Sequence, residues 1–243
     1  MNHLHLDDRL AARKRPAGPA VLHMQWTDLL FLHWAWDPEE IQRTLPAGLQ
    51  VDVFDSRAWL GVVPFFMRRV HPPGLPCLPG LSDFLELNVR TYVFDTNGVP
   101  GVWFYSLACN QPVAVELARR LFHLNYVHAR MRAERRLVGV HYTAERAGKA
   151  VYNYRPLGST QLATPGSLEF FLLERYVLFS TDRKKRIFSG RVHHQPYNYR
   201  QAEVRPWSFL PAEEDGFAHP GRAPDHICTS RTVAVEAWPI RRA

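Results

Sequence analysis

The feature that most constrains the fold is a succession of short runs rich in β-branched and aromatic residues, each bounded by turn-forming residues. The clearest are 84–94 and 99–108, which are joined by Asp95-Thr96-Asn97-Gly98, a typical hairpin sequence. Further runs cover 26–36, 49–54, 59–70, 127–133, 137–144, 149–156, 176–181, 186–194 and 231–238. A sheet of this size usually closes or curls to hide its edges. We therefore predict a β-rich α+β fold, an antiparallel β-barrel with a central cavity.

Three short helices are predicted between the strands. Asp37 precedes Pro38 and two glutamates, which is typical of a helix N-terminus, and this helix should end before Pro46. Asn110 is the expected cap of a second helix, and Ser167 of a third over 168–175. In the second helix the apolar residues at helical spacing are expected to face the core: Ala114, Leu117, Ala118, Leu121 and Phe122.

Domain organisation follows from where the turn-forming and charged residues cluster. Residues 1–20 are rich in Arg, His, Pro and Gly and predict a flexible basic tail. From residue 21 to 243 there is no repeat, low-complexity segment or Gly/Ser-rich linker. We expect these residues to form a single domain.

Composition excludes several classes of protein. Apolar residues make up 46% and charged residues 22% of the 243-residue chain, which argues against a disordered protein. No apolar stretch is long enough for a transmembrane helix, and the polar N-terminus lacks the apolar region of a signal peptide. The three cysteines, Cys77, Cys109 and Cys228, are too widely spaced for a paired framework or a zinc knuckle. We expect a cytoplasmic protein without a membrane partner.

The net charge of +7 raises the question of nucleic-acid binding, since 26 of the 30 basic residues are arginines. No known nucleic-acid motif accompanies the charge, so an Arg-rich solvated surface is the preferred interpretation. The alternative is a module that binds nucleic acid or an acidic partner through Arg68-Arg69, the cluster 130–136 and the cluster 183–186. Whether the chain forms a homo-oligomer is left open.

The run 84–94 carries the most informative pattern. Alternate residues from Leu85 to Val93 form an apolar face, whereas the other face places Glu86, Asn88 and Arg90 among aromatic residues. A wet outer face would explain the charges. A face lining the interior of the barrel would explain the aromatic residues, with Glu86 and Arg90 converging over Asn88.

Other chemical motifs are weak. The twelve histidines show no metal-binding spacing, and no glycine-rich nucleotide motif is present, so we expect neither a metal nor a cofactor. His194 is retained as a candidate because it ends a predicted strand, where functional groups often lie. Adjacent lysines can activate one another for imine chemistry, but Lys184-Lys185 lies in a polar run that predicts an exposed hairpin tip.

Several long segments resemble the YqjF-like family of conserved bacterial proteins, whose function is unknown. They are Trp26–Trp34, Leu45–Leu49, Ala58–Phe65, Phe84–Val93 and Gly101–Leu107. The resemblance implies the acetoacetate-decarboxylase-like fold, which agrees with the predicted barrel. In the decarboxylase, a Pro-Lys-Lys turn supplies the lysine that forms the Schiff base. Here Asn125-Tyr126-Val127 occupies the matching positions, and these side chains cannot form an imine.

The resemblance still implies a polar cavity in this protein, although the Schiff-base lysine is not carried over. Glu86 matches a cavity glutamate of that fold, and Tyr126 takes the place of the nucleophile. We therefore expect Glu86, Asn88, Arg90, Tyr126 and His194 to bind a small molecule, with Arg90 contacting a carboxylate. Glu86 and His194 are the candidates for any acid–base chemistry, and Schiff-base decarboxylation is not expected.

Overall fold

The computed structural model describes residues 4–243, within which fourteen strands form one mixed sheet. The strands are β1 (Leu22–Trp36), β2 (Leu49–Val51), β3 (Ala58–His71), β4 (Phe84–Asp95), β5 (Pro100–Cys109), β6 (Tyr126–His128), β7 (Arg130–Arg136), β8 (Gly139–Glu145), β9 (Lys149–Leu162), β10 (Val177–Thr181), β11 (Ile187–His194), β12 (Asn198–Val204), β13 (His226–Ala237) and β14 (Arg241–Arg242). The helices are α1 (Leu6–Ala12), α2 (Pro38–Thr44), α3 (Pro112–Phe122), α4 (Leu168–Leu173) and α5 (Leu210–Glu214).

Seven of the strands form a ring, because the hydrogen-bonded path returns on itself. The path runs β11-β10-β5-β4-β3-β1-β13, and β13 pairs again with β11. Most pairings are antiparallel, but β5 pairs in parallel with β10 and with β6. The ring gives the sheet an inner and an outer face.

An outer layer covers one side of the ring. Strands β12, β9, β8 and β7 continue from β13, and tyrosines and alanines of β8 and β9 pack with Leu85, Leu87 and Val89 of β4 in one apolar cluster. A second cluster, which includes Phe31, Phe65 and Phe84, lies on the inner face. Every residue of β4 is consequently buried.

The helix predictions are confirmed in part. The Asp37 carboxylate accepts hydrogen bonds from the backbone N–H groups of α2, and Ser167 caps α4 in the same way. The cap of α3 is Gln111 rather than Asn110, whose side chain instead accepts from the backbone N–H of Leu85 at 2.8 Å. The expected inward face of α3 is also wrong at Leu117 and Leu121, which are more than half exposed.

The inward face of α3 is mispredicted because the rotation of the helix about its axis is not apparent from the sequence. Apolar residues occur on two stripes of α3, so the sequence does not decide which stripe packs inward. The structure buries Val115 and packs Ala114 and Ala118 against the inner cluster.

The N-terminal segment that the sequence predicts as a flexible tail contains α1, and two ion pairs connect it to the sheet. The Arg9 guanidinium binds both carboxylate oxygens of Asp52, at 2.6 and 2.7 Å. Arg15 binds Glu236 of β13 at 2.7 Å. Charged residues that are typical of a solvated tail therefore find partners on the folded domain.

Asp52 also holds a second arginine, which is fully enclosed. The Arg175 guanidinium lies 2.8 Å from Asp52, and both side chains are 4% exposed. Burial raises the pKa of Asp52, but the combined effect of Arg175 and Arg9 in lowering it is larger. The pKa of Asp52 is therefore below its ordinary value. The carboxylate thus compensates a buried positive charge.

We expect Asp52→Asn to lower the free energy of unfolding by about 3 kcal/mol, because it leaves Arg175 buried without a counter-ion. Urea denaturation at pH 7 would measure the change. The control is Glu39→Gln, which breaks the exposed pair between Arg43 and Glu39 and should change stability by about 0.5 kcal/mol or less. A similar small effect at both positions would contradict the assigned role of Asp52.

Candidate functional site

The polar face of β4 points into the ring. Glu86, Asn88 and Arg90 are 3%, 5% and 9% exposed, so the alternative of a wet outer face is wrong. Phe84, on the same face of the strand, belongs to the inner apolar cluster. Burying three such groups on one strand requires partners inside the ring, because unpaired polar groups are costly there.

Glu86 meets Tyr126 at the centre of this face. The Tyr126 hydroxyl donates a 2.8 Å hydrogen bond to Glu86 Oε2. Burial raises the pKa of Glu86 to about 7, although the hydrogen bond from Tyr126 acts in the opposite direction. Burial and the neighbouring Glu86 carboxylate raise the pKa of Tyr126 well above its ordinary value. Near neutral pH, Glu86 can therefore accept or release a proton, and Tyr126 remains a hydrogen-bond donor.

Arg90 is a buried cation without a carboxylate partner in the part of the chain that the structure describes. Its Nη2 donates to the Tyr92 hydroxyl at 3.3 Å and to the Leu172 carbonyl at 3.2 Å. The guanidinium lies over the rings of Phe31 and Tyr92, 5.5 and 5.6 Å from their centres. Its Nε is buried and has no hydrogen-bond partner among residues 4–243. Arg90 therefore keeps a buried N–H donor without an acceptor and a charge without a counter-ion among the described residues.

Two histidines extend the polar network from Tyr92. His33 Nε2 lies 2.8 Å from the Tyr92 hydroxyl, and His33 Nδ1 lies 3.0 Å from His226 Nδ1. Burial is the main cause that lowers the pKa of His33, and it also lowers the pKa of His226 to about 4. Both imidazoles are therefore neutral near pH 7.

His194 is surrounded by aromatic residues, among them Tyr197, which also contacts Phe31. Its ring stacks on Tyr176 with 4.6 Å between centres and lies 4.7 Å from Tyr197. Glu174 holds both tyrosines, since it accepts a hydrogen bond from the Tyr176 hydroxyl and another from the backbone N–H of Tyr197. Burial lowers the pKa of His194. The residue ends β11, as the sequence predicts, and it is only 2% exposed.

The five predicted residues thus lie on the inner side of the ring, but they do not form one hydrogen-bonded group. Glu86 contacts Tyr126, whereas Arg90 binds Tyr92 and Leu172. The expected convergence of Glu86 and Arg90 over Asn88 is wrong: four residues along a strand separate their Cα atoms by about 13 Å, and each side chain finds its own partner.

Four further polar residues of the inner side are not apparent from the sequence: His33, Tyr92 in its hydrogen-bonding role, Glu174 and His226. They come from separate segments, and His33 and His226 become neighbours only through the pairing of β1 with β13. A period-two reading of β1 and β13 would place both histidines on the inner face, but it does not pair them.

The comparisons with known proteins agree with this architecture. A family model, DUF2071, described as an uncharacterized conserved protein, matches residues 23–234. The uncharacterized protein YqjF of Bacillus subtilis is 32% identical over 232 residues, which cover 93% of this chain and 94% of that protein. The chain belongs to the DUF2071 family. The predicted resemblance to YqjF is confirmed.

Solved structures with the same fold are acetoacetate-decarboxylase-like enzymes. The enduracididine biosynthesis enzyme MppR, complexed with a condensation product of pyruvate and imidazole 4-carboxaldehyde, superposes with a TM-score of 0.65 at 12% identity, covering 93% of this chain and 90% of that one. Acetoacetate decarboxylase from Legionella pneumophila gives 0.63 at 12% identity, with 100% and 97% covered. The predicted strand-rich α+β fold of this class is confirmed.

The lysines of this DUF2071 chain all lie on its surface. Lys14, Lys149, Lys184 and Lys185 are exposed, and the last two lie at the turn between β10 and β11 as predicted. Tyr126 occupies the inner position at the start of β6. The inner side of the ring therefore carries a phenol and a carboxyl group, whereas the lysines lie outside it.

The arginine clusters considered as an interaction surface are separate and partly neutralised. Arg68 pairs with Asp83, Arg135 with Asp28, and Arg186 with Asp182. Strand β7, which carries the 130–136 cluster, lies at the end of the sheet path, where charged side chains discourage edge-to-edge association. None of the helices within residues 4–243 is long and apolar enough to cross a membrane.

Replacing Glu86 tests its protonation state. Its folded-state pKa of about 7 is above its ordinary value of 4.5, so the stability of the folded protein should fall as pH rises between these values. We expect Glu86→Gln to be more stable than the wild type at pH 8, by on the order of 2 to 3 kcal/mol, and the difference to shrink towards pH 4.5. Urea denaturation at both pH values measures it.

The matched control is Glu145→Gln at an exposed position of β8, where no such pH-dependent difference is expected. A Glu86→Gln protein that is less stable than the wild type at pH 8 would show that the carboxylate is ionised and compensated in the folded state.

Proposed function

We propose that this protein binds a small carboxylate inside the sheet ring, with Arg90 as the charged anchor. The observation that carries the proposal is the contrast between two enclosed arginines. Arg175 is neutralised by Asp52 at 2.8 Å, whereas Arg90 has no carboxylate within ion-pair distance among residues 4–243. A buried guanidinium without a counter-ion is expensive to maintain, and an anionic ligand would compensate it.

The fold relatives support the same class of ligand. MppR structures contain pyruvate or a condensation product of pyruvate, and acetoacetate decarboxylase is named for a keto acid. These proteins share only 12% of their residues with this chain, so the ligand class is inferred mainly from Arg90. Their names make a carboxylate a reasonable first probe.

Glu86 is the group suited to acid–base chemistry on the bound molecule. Its pKa of about 7 allows it to take or give a proton near neutral pH, and the Tyr126 hydroxyl fixes the orientation of its carboxyl group. Because all four lysines are exposed, we propose that the protein does not work as a Schiff-base decarboxylase. Proton transfer, or ligand binding alone, is the chemistry that the inner residues support.

Thermal unfolding in the presence of acetate, propionate or pyruvate tests the role of Arg90. We expect these anions to raise the Tm of the wild type in proportion to their concentration, and Arg90→Met to abolish the shift, because bound ligand stabilises only the folded state. Arg155→Met is the matched control, since Arg155 lies exposed on the outer layer beside Glu203.

Without ligand, Arg90→Met should remain folded with a stability change below about 1 kcal/mol, because the Tyr92 hydroxyl still donates to the Leu172 carbonyl at 2.9 Å. An anion-dependent shift that persists in Arg90→Met would remove this residue from the site.

A groove on the surface favours a second candidate function, the binding of an acidic partner such as nucleic acid. The groove has a volume of about 1100 Å³ and lies between α3, β5 and the β10–β11 turn. Five cationic side chains line it: Arg119, Arg120, Arg183, Lys184 and Arg186. Glu116 and Asp182 are its acidic groups. The excess of positive charge would attract a phosphate backbone.

This second function predicts retardation of unrelated single-stranded or duplex DNA in a native gel at low salt. The affinity should fall steeply as salt rises, through counterion release, and the double replacement Arg183→Ser with Lys184→Ser should weaken it. Absence of retardation at low salt would exclude the candidate, and a response confined to the carboxylate probes would favour the first function.

A further inference from the structure

We propose that the carboxylate bound at Arg90 also carries a hydrogen-bond donor, so that the ligand is a hydroxy or amino acid rather than a simple or keto acid. This inference rests on the proposed function of Arg90 and adds the second anchor, His226. It follows from the direction of the hydrogen bonds that connect Arg90 to His226 through Tyr92 and His33.

The direction is fixed by the Leu172 carbonyl. The Tyr92 hydroxyl lies 2.9 Å from Leu172 O, and a carbonyl has no hydrogen to donate, so Tyr92 must donate this bond. The hydroxyl has one hydrogen, and its 2.8 Å contact with His33 Nε2 is therefore donated by His33. In a neutral imidazole only one nitrogen carries hydrogen, which makes His33 Nδ1 an acceptor.

The same reasoning continues to the second histidine. The 3.0 Å contact between the two Nδ1 atoms must be donated by His226, since His33 Nδ1 has no hydrogen. His226 is neutral because burial lowers its pKa to about 4, so its Nε2 is a lone-pair acceptor. This is the one assignment in which each of the three contacts is a hydrogen bond. It leaves a buried acceptor, His226 Nε2, without a partner among residues 4–243.

His226 lies on the same side of the sheet as Arg90. It is opposite His33 in the register of β1 and β13, and the His33 ring stacks on Phe31 at 6.2 Å. Phe31 is also the ring beneath the Arg90 guanidinium. Cys228, two residues along β13 from His226, belongs to the inner apolar cluster with Phe31. The cation and the unpaired acceptor therefore lie at opposite ends of one hydrogen-bonded network on the inner side of the ring.

Asn88 provides a second buried hydrogen-bond acceptor without a donor. Its Oδ1 is buried and has no partner in the described part of the chain, and it lies between Glu86 and Arg90 on β4. The polar atoms of a keto acid or a simple carboxylate are all hydrogen-bond acceptors. Such a ligand would therefore leave His226 Nε2 and Asn88 Oδ1 without a hydrogen bond. A hydroxyl or ammonium group supplies the missing hydrogen. The half-buried carboxylate of Glu169, whose negative charge opposes the lowering of the pKa of His226 and adds to the raising of the pKa of Cys228, also favours a donor at this end.

Matched carboxylates test the proposal in a thermal-shift titration of the full chain. The probes are propionate, pyruvate, lactate, 3-hydroxypropionate and alanine, which differ in whether and where they carry a donor. We expect at least one hydroxy or amino acid to bind about tenfold more tightly than propionate and pyruvate. Lactate or 3-hydroxypropionate as the better ligand indicates a hydroxy acid, and alanine indicates an amino acid.

The variant His226→Phe should remove this preference while leaving the response to propionate, because Arg90 is unchanged. Asn88→Leu is a second, independent variant in case His226→Phe does not fold, and circular dichroism reports folding. His123→Phe, which makes the same replacement beside the surface groove, is the control and should keep the preference.

The outcomes separate the two proposals. If no carboxylate shifts the wild-type Tm, the proposed function itself is wrong. If all the probes bind equally through Arg90, or if the preference persists in both His226→Phe and Asn88→Leu, carboxylate binding stands and the donor requirement is overturned. The buried acceptors would then be satisfied by water.

Discussion

The burial of both faces of β4 is the constraint on which the rest of the structure depends. The outer layer covers Leu85, Leu87 and Val89, and the ring encloses the residues between them. A strand enclosed on both sides normally carries apolar residues throughout. Here the inner face instead carries Glu86, Asn88 and Arg90, whose polar groups need hydrogen-bond partners inside the ring. Tyr126 supplies a partner for Glu86 and Tyr92 one for Arg90, whereas Asn88 Oδ1 and Arg90 Nε have none among residues 4–243.

The protein treats its three buried ionisable sites, Asp52, Glu86 and Arg90, in different ways. At Asp52 two arginines and a carboxylate neutralise one another. At Glu86 burial favours the protonated form, with Tyr126 as a hydrogen-bond donor. At Arg90 neither solution is available, because the guanidinium keeps its charge and its contacts are neutral oxygens and aromatic rings. The first two charges are compensated within the protein, and the ligand binding that we propose rests on the third.

Much of the fold could be predicted from local patterns, and the candidate site only in part. Alternation along 84–94 identifies the inner face of β4 because the strand is long and its apolar positions are regular. Strand β12 is not predicted from the sequence, because the segment Asn198–Val204 is mostly polar and becomes a strand through pairing with β9 and β13. The contact between His33 and His226, 193 positions apart, depends on the register of two strands, which local sequence does not encode.

The function we propose differs from the chemistry of the decarboxylases that share this fold. Imine formation needs an uncharged amine held next to the substrate, and the inner position at the start of β6 holds Tyr126 instead. A phenol whose pKa is raised by burial does not act as a nucleophile near neutral pH, but it keeps Glu86 oriented. In the function we propose, Arg90 binds the carboxylate and Glu86 transfers one proton, and no covalent intermediate at a lysine is needed.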